Sequence, residues 1–384
     1  MGSVGKGLGM VAAAIAVLAG LAVWLSSTGP SEGAAAAAPG SEDCRTVRRS
    51  LPALRAAVER AGEGDVLCLA DGRYGKLYLA RGDDSAGRVT VRAAHPGDAT
   101  LAGADLGRSR VTLARFAITD EVEVEPGTIG VTIAHNRISG GYLGVDAGPT
   151  TTTTVNDVAI VGTKFVGPFG EDAIRLNRYH DADGDGVGAL VAENEFTEVR
   201  ENGNHSDCLQ TVWVGDHLVY RGNYLHDNRC QGFFVKDQER PVVGILIEDN
   251  LFLRNEAPCA PGAQGCGAPS DLQVFGPFTG LRMRHNTIWG NGAIAAFQEA
   301  NGTRAKIEAN VIYKFWTSAD LSAARYRDNT RCQRQSSSGG SWPARPIGEV
   351  VSCSPRFQAP SEDDYRLSGE RGVTWAPAER HFGP

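Results

Sequence analysis

A chain of 384 residues, 42% hydrophobic and 22% charged, carries enough apolar material for one sizeable core even after its first forty or so residues are set aside. Its formal net charge of -7 excludes a protein that gathers phosphate backbones on clustered cations, so no nucleic-acid partner is expected. Arginines outnumber lysines 32 to 6, a coding bias more than a function, which gives each lysine, Lys236 included, added weight.

Residues 7–25, GLGMVAAAIAVLAGLAVWL, follow Lys6 and lead into an Ala/Gly-rich linker reaching residue 43. This is the pattern of an export signal. Its length is near the lower limit for a bilayer span and no small-x-small cleavage site follows closely, so a removed signal peptide and a retained membrane tether both stay open. A core helix would be apolar on one face only. The folded part is expected over 44–384, secreted or anchored at the cell surface. Eight cysteines fit an oxidising compartment. Their spacing suggests Cys44–Cys68, Cys208–Cys230, Cys259–Cys266 and Cys332–Cys353, although sequence does not fix connectivity; no CxxC pair or His spacing supports zinc.

Leu51, Leu54, Ala57 and Val58 lie at helical spacing and predict a short amphipathic helix that covers the open end of the first coil. VTVRAA at Val89 and VTLARFAI at Val111 read as first strands. A repeat then sets in: apolar, any, apolar, two residues, Asn, any, apolar. Seven copies are centred on Asn136, Thr163, Asn194, Asn223, Asn250, Asn286 and Asn310, at spacings of 27, 31, 29, 27, 36 and 24 residues. Unequal spacings of this size are what stacked coils with variable loops produce. Period-two alternation makes each copy a strand. Asn tolerates left-handed backbone and bonds neighbouring backbone through its amide, so the column marks one tight turn repeated coil after coil. Parallel stacking would bury Ile133, Ile160, Val191, Tyr220, Ile247, Met283 and Ile307 in one row. A β-propeller is disfavoured, because no repeat carries four strands and a hairpin signal.

Between these strands runs a second row: GEDAIRLNRY, HSDCLQTVW, CQGFFVKDQ and PSDLQVFG. With Ile174, Leu209, Phe233 and Leu272 inward, alternation turns Arg175, Gln210 and Gln273 outward in register, with Lys236 one step along the same face. Asp172, His205, Asp207, Gln231, Asp237 and Asp271 stand around them. HDADGDGVGALVAEN places Asp181, Asp183 and Asp185 before Gly186, the first half of a DxDxDG calcium loop; position twelve is Ala192, with Glu193 one residue late, so weak or structural binding competes with a plain acidic turn. Trp213, Trp289, Trp316 and Trp342 either stack on sugar rings or pack under loops. From Leu321 onward the repeat is lost, and an irregular C-terminal cap over about 320–384 is expected, with DYRLS at Asp364 as a last strand.

The GDVLCLADGRY opening, the Asn column and the DYRLS close resemble the pectate-lyase-like superfamily of right-handed parallel β-helix proteins, over roughly residues 50–370. The resemblance implies an all-β, single-stranded right-handed parallel β-helix with an N-terminal helical cap. It includes lyases, glycoside hydrolases, epimerases and phage tailspikes, so it does not choose a reaction. Lyases of that superfamily often pair a Lys or Arg base with calcium, which by resemblance points to Lys236 and Arg175 beside Ca²⁺ on Asp172, Asp207 and Asp271. Elimination from an acidic sugar needs a base for the proton beside the carboxylate and a cation or acid for the developing charge.

Arg175 then acts as acid or charge stabiliser, Gln210, Gln231, Gln273 and Trp213 hold substrate, and His205 joins the catalytic set, although it makes no nucleophile triad with Asp207. Hydrolysis by Asp172, Asp207 and Asp271 is the weaker alternative, since the blocks shared by polygalacturonases of this fold are missing. The same polar residues also read as plain solvated strand ends. The expectation is a monomeric extracellular protein that cleaves a uronate-containing polysaccharide, with a non-catalytic glycan-binding surface protein as the alternative.

Overall fold

The structure is a computed structural model. It describes residues 44, 46–81, 87–145, 153–169, 172–199, 206–212, 215–228, 230–236, 242–254, 271–276, 278–290, 293–298, 305–337, 340–343, 346–355, 357–359 and 364–367. The export segment at 7–25 and the Cys259–Cys266 pairing lie outside them. No helix among the described residues is long and apolar enough to cross a membrane.

Each repeat forms a short strand that pairs in parallel with its counterparts in the coils before and after. From Val47–Arg48 the ladder runs through Val66–Leu69, Val89–Ala93, Val111–Ala114, Thr132–Ala134, Val158–Val161, Ala189–Ala192, Asp216–Arg221, Val242–Glu248, Arg282–Arg284 and Lys306–Glu308 to Arg325–Arg327. Strands joined this way by same-sense crossovers wind to the right. The chain is a right-handed parallel β-helix. The expected inward row is in direct register from Ile133 to Ile307, and every member is fully buried. Leu67, Val91 and Leu113 extend it upward and Tyr326 downward.

The Asn column is a continuous buried ladder. Asn223 shows the bonding of a rung: its amide nitrogen donates to Val191 O and to Asn250 Oδ1, both at 2.9 Å, while its own Oδ1 accepts from the backbone N and Nδ2 of Asn194 at 3.0 Å. Thr163 fills its rung with a hydroxyl, donating its backbone N to Asn194 Oδ1 at 2.9 Å. Leaving one such buried amide unmatched costs about 1–3 kcal/mol. The left-handed residue, however, is the one before the Asn. His135, Gly162, Glu193, Gly222, Asp249, His285 and Ala309 have φ between 52° and 62°. The Asn side chain therefore anchors the corner without making the turn. Non-glycine residues at these positions carry roughly 1–2 kcal/mol of strain each, offset by the amide bonds beside them.

The helix Leu51–Val58 starts at Ser50, whose hydroxyl accepts from Ala53 N, and buries Leu54, Ala57 and Val58 against the first coil. Such a lid shields an open sheet end. At the other end the coils run further than the loss of pattern at Leu321 predicts. Asp328 (φ 54°) and Asn329 form one more corner, Asn310 donates to Asn329 Oδ1 at 2.9 Å, and Thr330–Ser336 pairs with Val311–Thr317. Asp364–Leu367 is a strand, but it pairs antiparallel with Phe357–Ala359 instead of closing the helix. Disulfides Cys44–Cys68, Cys208–Cys230 and Cys332–Cys353 form as spaced.

Candidate functional site

After each Asn corner a short strand, Arg137–Ser139 or Lys164–Val166 for example, leads on to the second row. Its inward residues include Leu77, Ala104, Val122, Leu143 and Ile174, all buried. One residue further along, an outward column runs in register through Tyr78, Asp105, Glu123, Gly144, Arg175, Gln210, Phe234 and Gln273. Coils stack about 4.8 Å apart, so these side chains form a continuous stripe.

Around Arg175 the stripe is tightly bonded. The Asp172 carboxylate, 1% exposed, accepts from Arg175 Nε at 2.9 Å and from Asp207 N at 2.8 Å. Asp207 in turn accepts from Gln210 Nε2 at 2.9 Å. The Cys208–Cys230 disulfide, with Cα atoms 5.6 Å apart, staples Asp207 to the coil of Gln231. Asp271 stands one strand position out of this line, and its Oδ2 accepts from Ile294 N at 2.9 Å. Gln231 and Gln273 are buried. Lys236 is exposed, with its ammonium 5.7 Å from the Phe275 ring centre. Two coils and two residues separate it from Arg175, roughly 12 Å between Cα atoms. His205, Trp213 and Asp237 lie outside the described residues. Trp289 packs edge-on against Tyr313 and Phe357, and Trp342 against Phe315 and Tyr326.

A second group, not among the residues that the repeat picks out, continues the stripe toward the N-terminus. Lys76 Nζ is 2.6 Å from Asp105 and 3.9 Å from Glu121. Burial draws the Lys76 pKa down, but its hydrogen bond to Asp105 and the surrounding carboxylates outweigh that and hold it above the ordinary range. Burial, then a hydrogen bond and charge repulsion from Glu121, push the Glu123 carboxyl up against the pull of Lys76. A bond between two carboxyls requires a shared proton. The Tyr142 hydroxyl bonds Glu121 as well, and burial with that bond raises its pKa. The Tyr142 ring lies 5.2 Å beneath the Arg175 guanidinium, with space because a β-carbon on Gly144 would come within 2.8 Å of it. A cavity of about 110 Å³ opens between Glu123, Glu125 and Tyr142. The signal was present in EVEVE over residues 121–125, alternating acids on a strand, but no Asn corner flags that coil.

Among the described residues, the side chains close enough together to share an ion are not Asp172, Asp207 and Asp271. One group is Asp157, Asp181 and Asp183; the other is the exposed set Asp71, His95 and Asp98. In the first, Asp181 accepts from Gly184 N, Gly186 N and His217 Nδ1 at 2.8–3.0 Å. Burial and the neighbouring carboxylates raise Asp157. Three such oxygens fit a hard divalent cation, with Asp157 in the place expected of Asp185, whose Oδ1 instead accepts from Val187 N.

No family model matches the chain, and no curated protein matches it. Solved structures similar to it include a PL6 family polysaccharide lyase from Pseudopedobacter saltans, 11% identical with TM-score 0.36, covering 86% of this chain and 100% of that one. The A-module of a mannuronan C-5 epimerase from Azotobacter vinelandii is 13% identical with TM-score 0.39, over 81% and 97%. A thermostable GH87 α-1,3-glucanase catalytic unit from Streptomyces thermodiastaticus is 12% identical with TM-score 0.39, over 80% and 68%. Likeness at this level transfers neither a residue nor a reaction.

Proposed function

We propose that the chain is an exported protein that cleaves an acidic, uronate-containing polysaccharide by β-elimination on the outward stripe of the second row. One observation carries the reading: a flat cation, Arg175, fixed by buried Asp172 and stacked over the Tyr142 phenol, shares one face with the Glu121 and Glu123 carboxyls. The substrate carboxylate lies against Arg175, which stabilises the charge that develops when the neighbouring C–H bond breaks. Glu121 takes that proton. As the C=C bond forms and the C–O bond breaks, Tyr142 or protonated Glu123 gives a proton to the departing glycosidic oxygen. Lys236, roughly 12 Å away, then holds the carboxylate of a neighbouring sugar and is not the base. Gln210 supports the same polymer. Asp157, Asp181 and Asp183 would hold Ca²⁺, which would steady the turns that carry them. All these groups come from one chain, so a monomer suffices.

The test is incubation of the purified protein with a panel of uronate polymers. Products absorbing in the ultraviolet are expected, and Arg175→Ala and Glu123→Gln each lower the rate by at least about a hundredfold. Binding to these polymers with no unsaturated product from any of them would instead make the chain a non-catalytic glycan binder.

A further inference from the structure

A larger cavity, about 390 Å³, opens in the same N-terminal coils on the strands between the corner and the second row, which lead on to Lys76, Glu121 and Tyr142. Its floor is made of small residues. Arg73, Thr100, Ala117 and Arg137 are successive members of one outward column, so two arginines stand at the ends of a notch whose middle coils carry only a hydroxyl and a methyl group. Thr119 and Ser139 line it on the side toward the reacting stripe, and the Tyr74 ring closes it near Arg73. Across three coils the arginine Cα atoms are about 14 Å apart.

Charge marks this notch. Several arginines elsewhere in the helix are paired with carboxylates: Arg175 with Asp172, Arg284 with Glu248, Arg325 with Glu308 and Arg331 with Glu349. The next cation in the column, Lys164, is matched by Glu195 at 2.8 Å. Among the described residues, neither Arg73 nor Arg137 has an ion pair or a hydrogen bond through its guanidinium. Two planar, five-donor cations facing one polar notch match a ligand that brings carboxylates at both ends and hydroxyls between. The corner beside the notch is tight: Gly140 has φ 88°, and a β-carbon on Gly141 would collide with the Asp120 backbone. Thr119 and Ser139 are therefore only two and three residues before Glu121 and Tyr142 in their coils.

We propose that this notch is a binding subsite for a short anionic segment of the polysaccharide, its carboxylates clamped by Arg73 and Arg137 and its hydroxyls received by Thr100, Thr119 and Ser139. The identity of the ligand rests on the acidic-polysaccharide reading of the neighbouring stripe; the notch itself does not depend on the reaction.

The test uses the full chain with trigalacturonate as probe, maltotriose as its neutral counterpart, and calorimetric titration. Arg73→Gln and Arg137→Gln are each expected to weaken trigalacturonate binding about tenfold or more, while Arg60→Gln, an exposed arginine on the N-terminal helix side, leaves it unchanged. Where elimination is observed, both variants raise KM for polymer and leave kcat in place. Equal binding of maltotriose, equal loss in Arg60→Gln, no trigalacturonate binding by the native chain, or unchanged affinity in both notch variants overturns the subsite. Arginine-dependent binding without any elimination keeps the notch and removes the reaction; elimination with unaltered KM and affinity in both variants does the reverse.

Discussion

Between Ile133 and Ile307, Tyr220 brings the one hydroxyl into a row otherwise filled by aliphatic side chains and Met283. Its ring sits between Phe233 at 4.9 Å and Phe252 at 6.2 Å, and it is fully buried. Burial pushes its pKa well above the ordinary phenol range, and among the described residues its hydroxyl has no hydrogen-bond partner. An unmade hydrogen bond of this kind costs about 1–3 kcal/mol. Tyr220→Phe is therefore expected to raise the free energy of unfolding by about 1–2 kcal/mol in a denaturant titration, and a loss of stability would show that the hydroxyl is satisfied. Residues such as Tyr220 were legible in sequence as inward because alternation fixes the face. Arg175 and Gln210 were legible as outward for the same reason. Alternation in EVEVE put Glu121 and Glu123 on one face, but it says nothing about which residues meet across coils, so the pairing of Lys76 with Asp105 was not legible. Asn combines two talents, an amide that bonds backbone and a tolerance for positive φ, and sequence alone did not show that the corner uses only the first.

Among the elements, the loop carrying Asp181 and Asp183 is the most exposed to its own charge. Asp157 and Asp185 are both raised, first by burial and then by neighbouring carboxylates, while Asp181 is held low, despite burial, by His217 and two backbone N–H groups. A divalent cation relieves that repulsion and binds only the folded loop. Millimolar Ca²⁺ is expected to raise the melting temperature by on the order of 2–4 °C, and Asp181→Asn to remove the effect. An unchanged melting curve would assign the loop to a plain acidic turn. The DxDxDG spacing exposed this loop in the sequence; Asp157 was hidden because it comes from the preceding coil, 24 residues earlier. The C-terminal coils were missed for a related reason. Arg325–Arg327 carries one inward side chain, Tyr326, between two arginines, so its apolar signal is too thin to be seen even though Asn329 completes the ladder.

At the scale of the whole molecule, the helix turns a one-dimensional sequence into columns, and function is written across coils. Arg73 and Arg137 are 64 residues apart in sequence yet bound one notch, and Lys76 meets Glu121 across 45. An extended polymer lying over such columns would touch several coils at once, which suits a long acidic chain better than a small ligand. In the proposed elimination the Glu121–Glu123 pair, and not a lysine, supplies base and acid. The pH dependence of the elimination rate on a uronate polymer tests it most directly. Because the Glu123 carboxyl is held above its ordinary value, the singly protonated pair exists below that raised pKa and is lost as pH rises through it. The native rate is expected to fall over that interval, and Glu123→Gln to abolish the fall. A rate that climbs steadily into alkaline solution would contradict the carboxyl pair and return the base to Lys236.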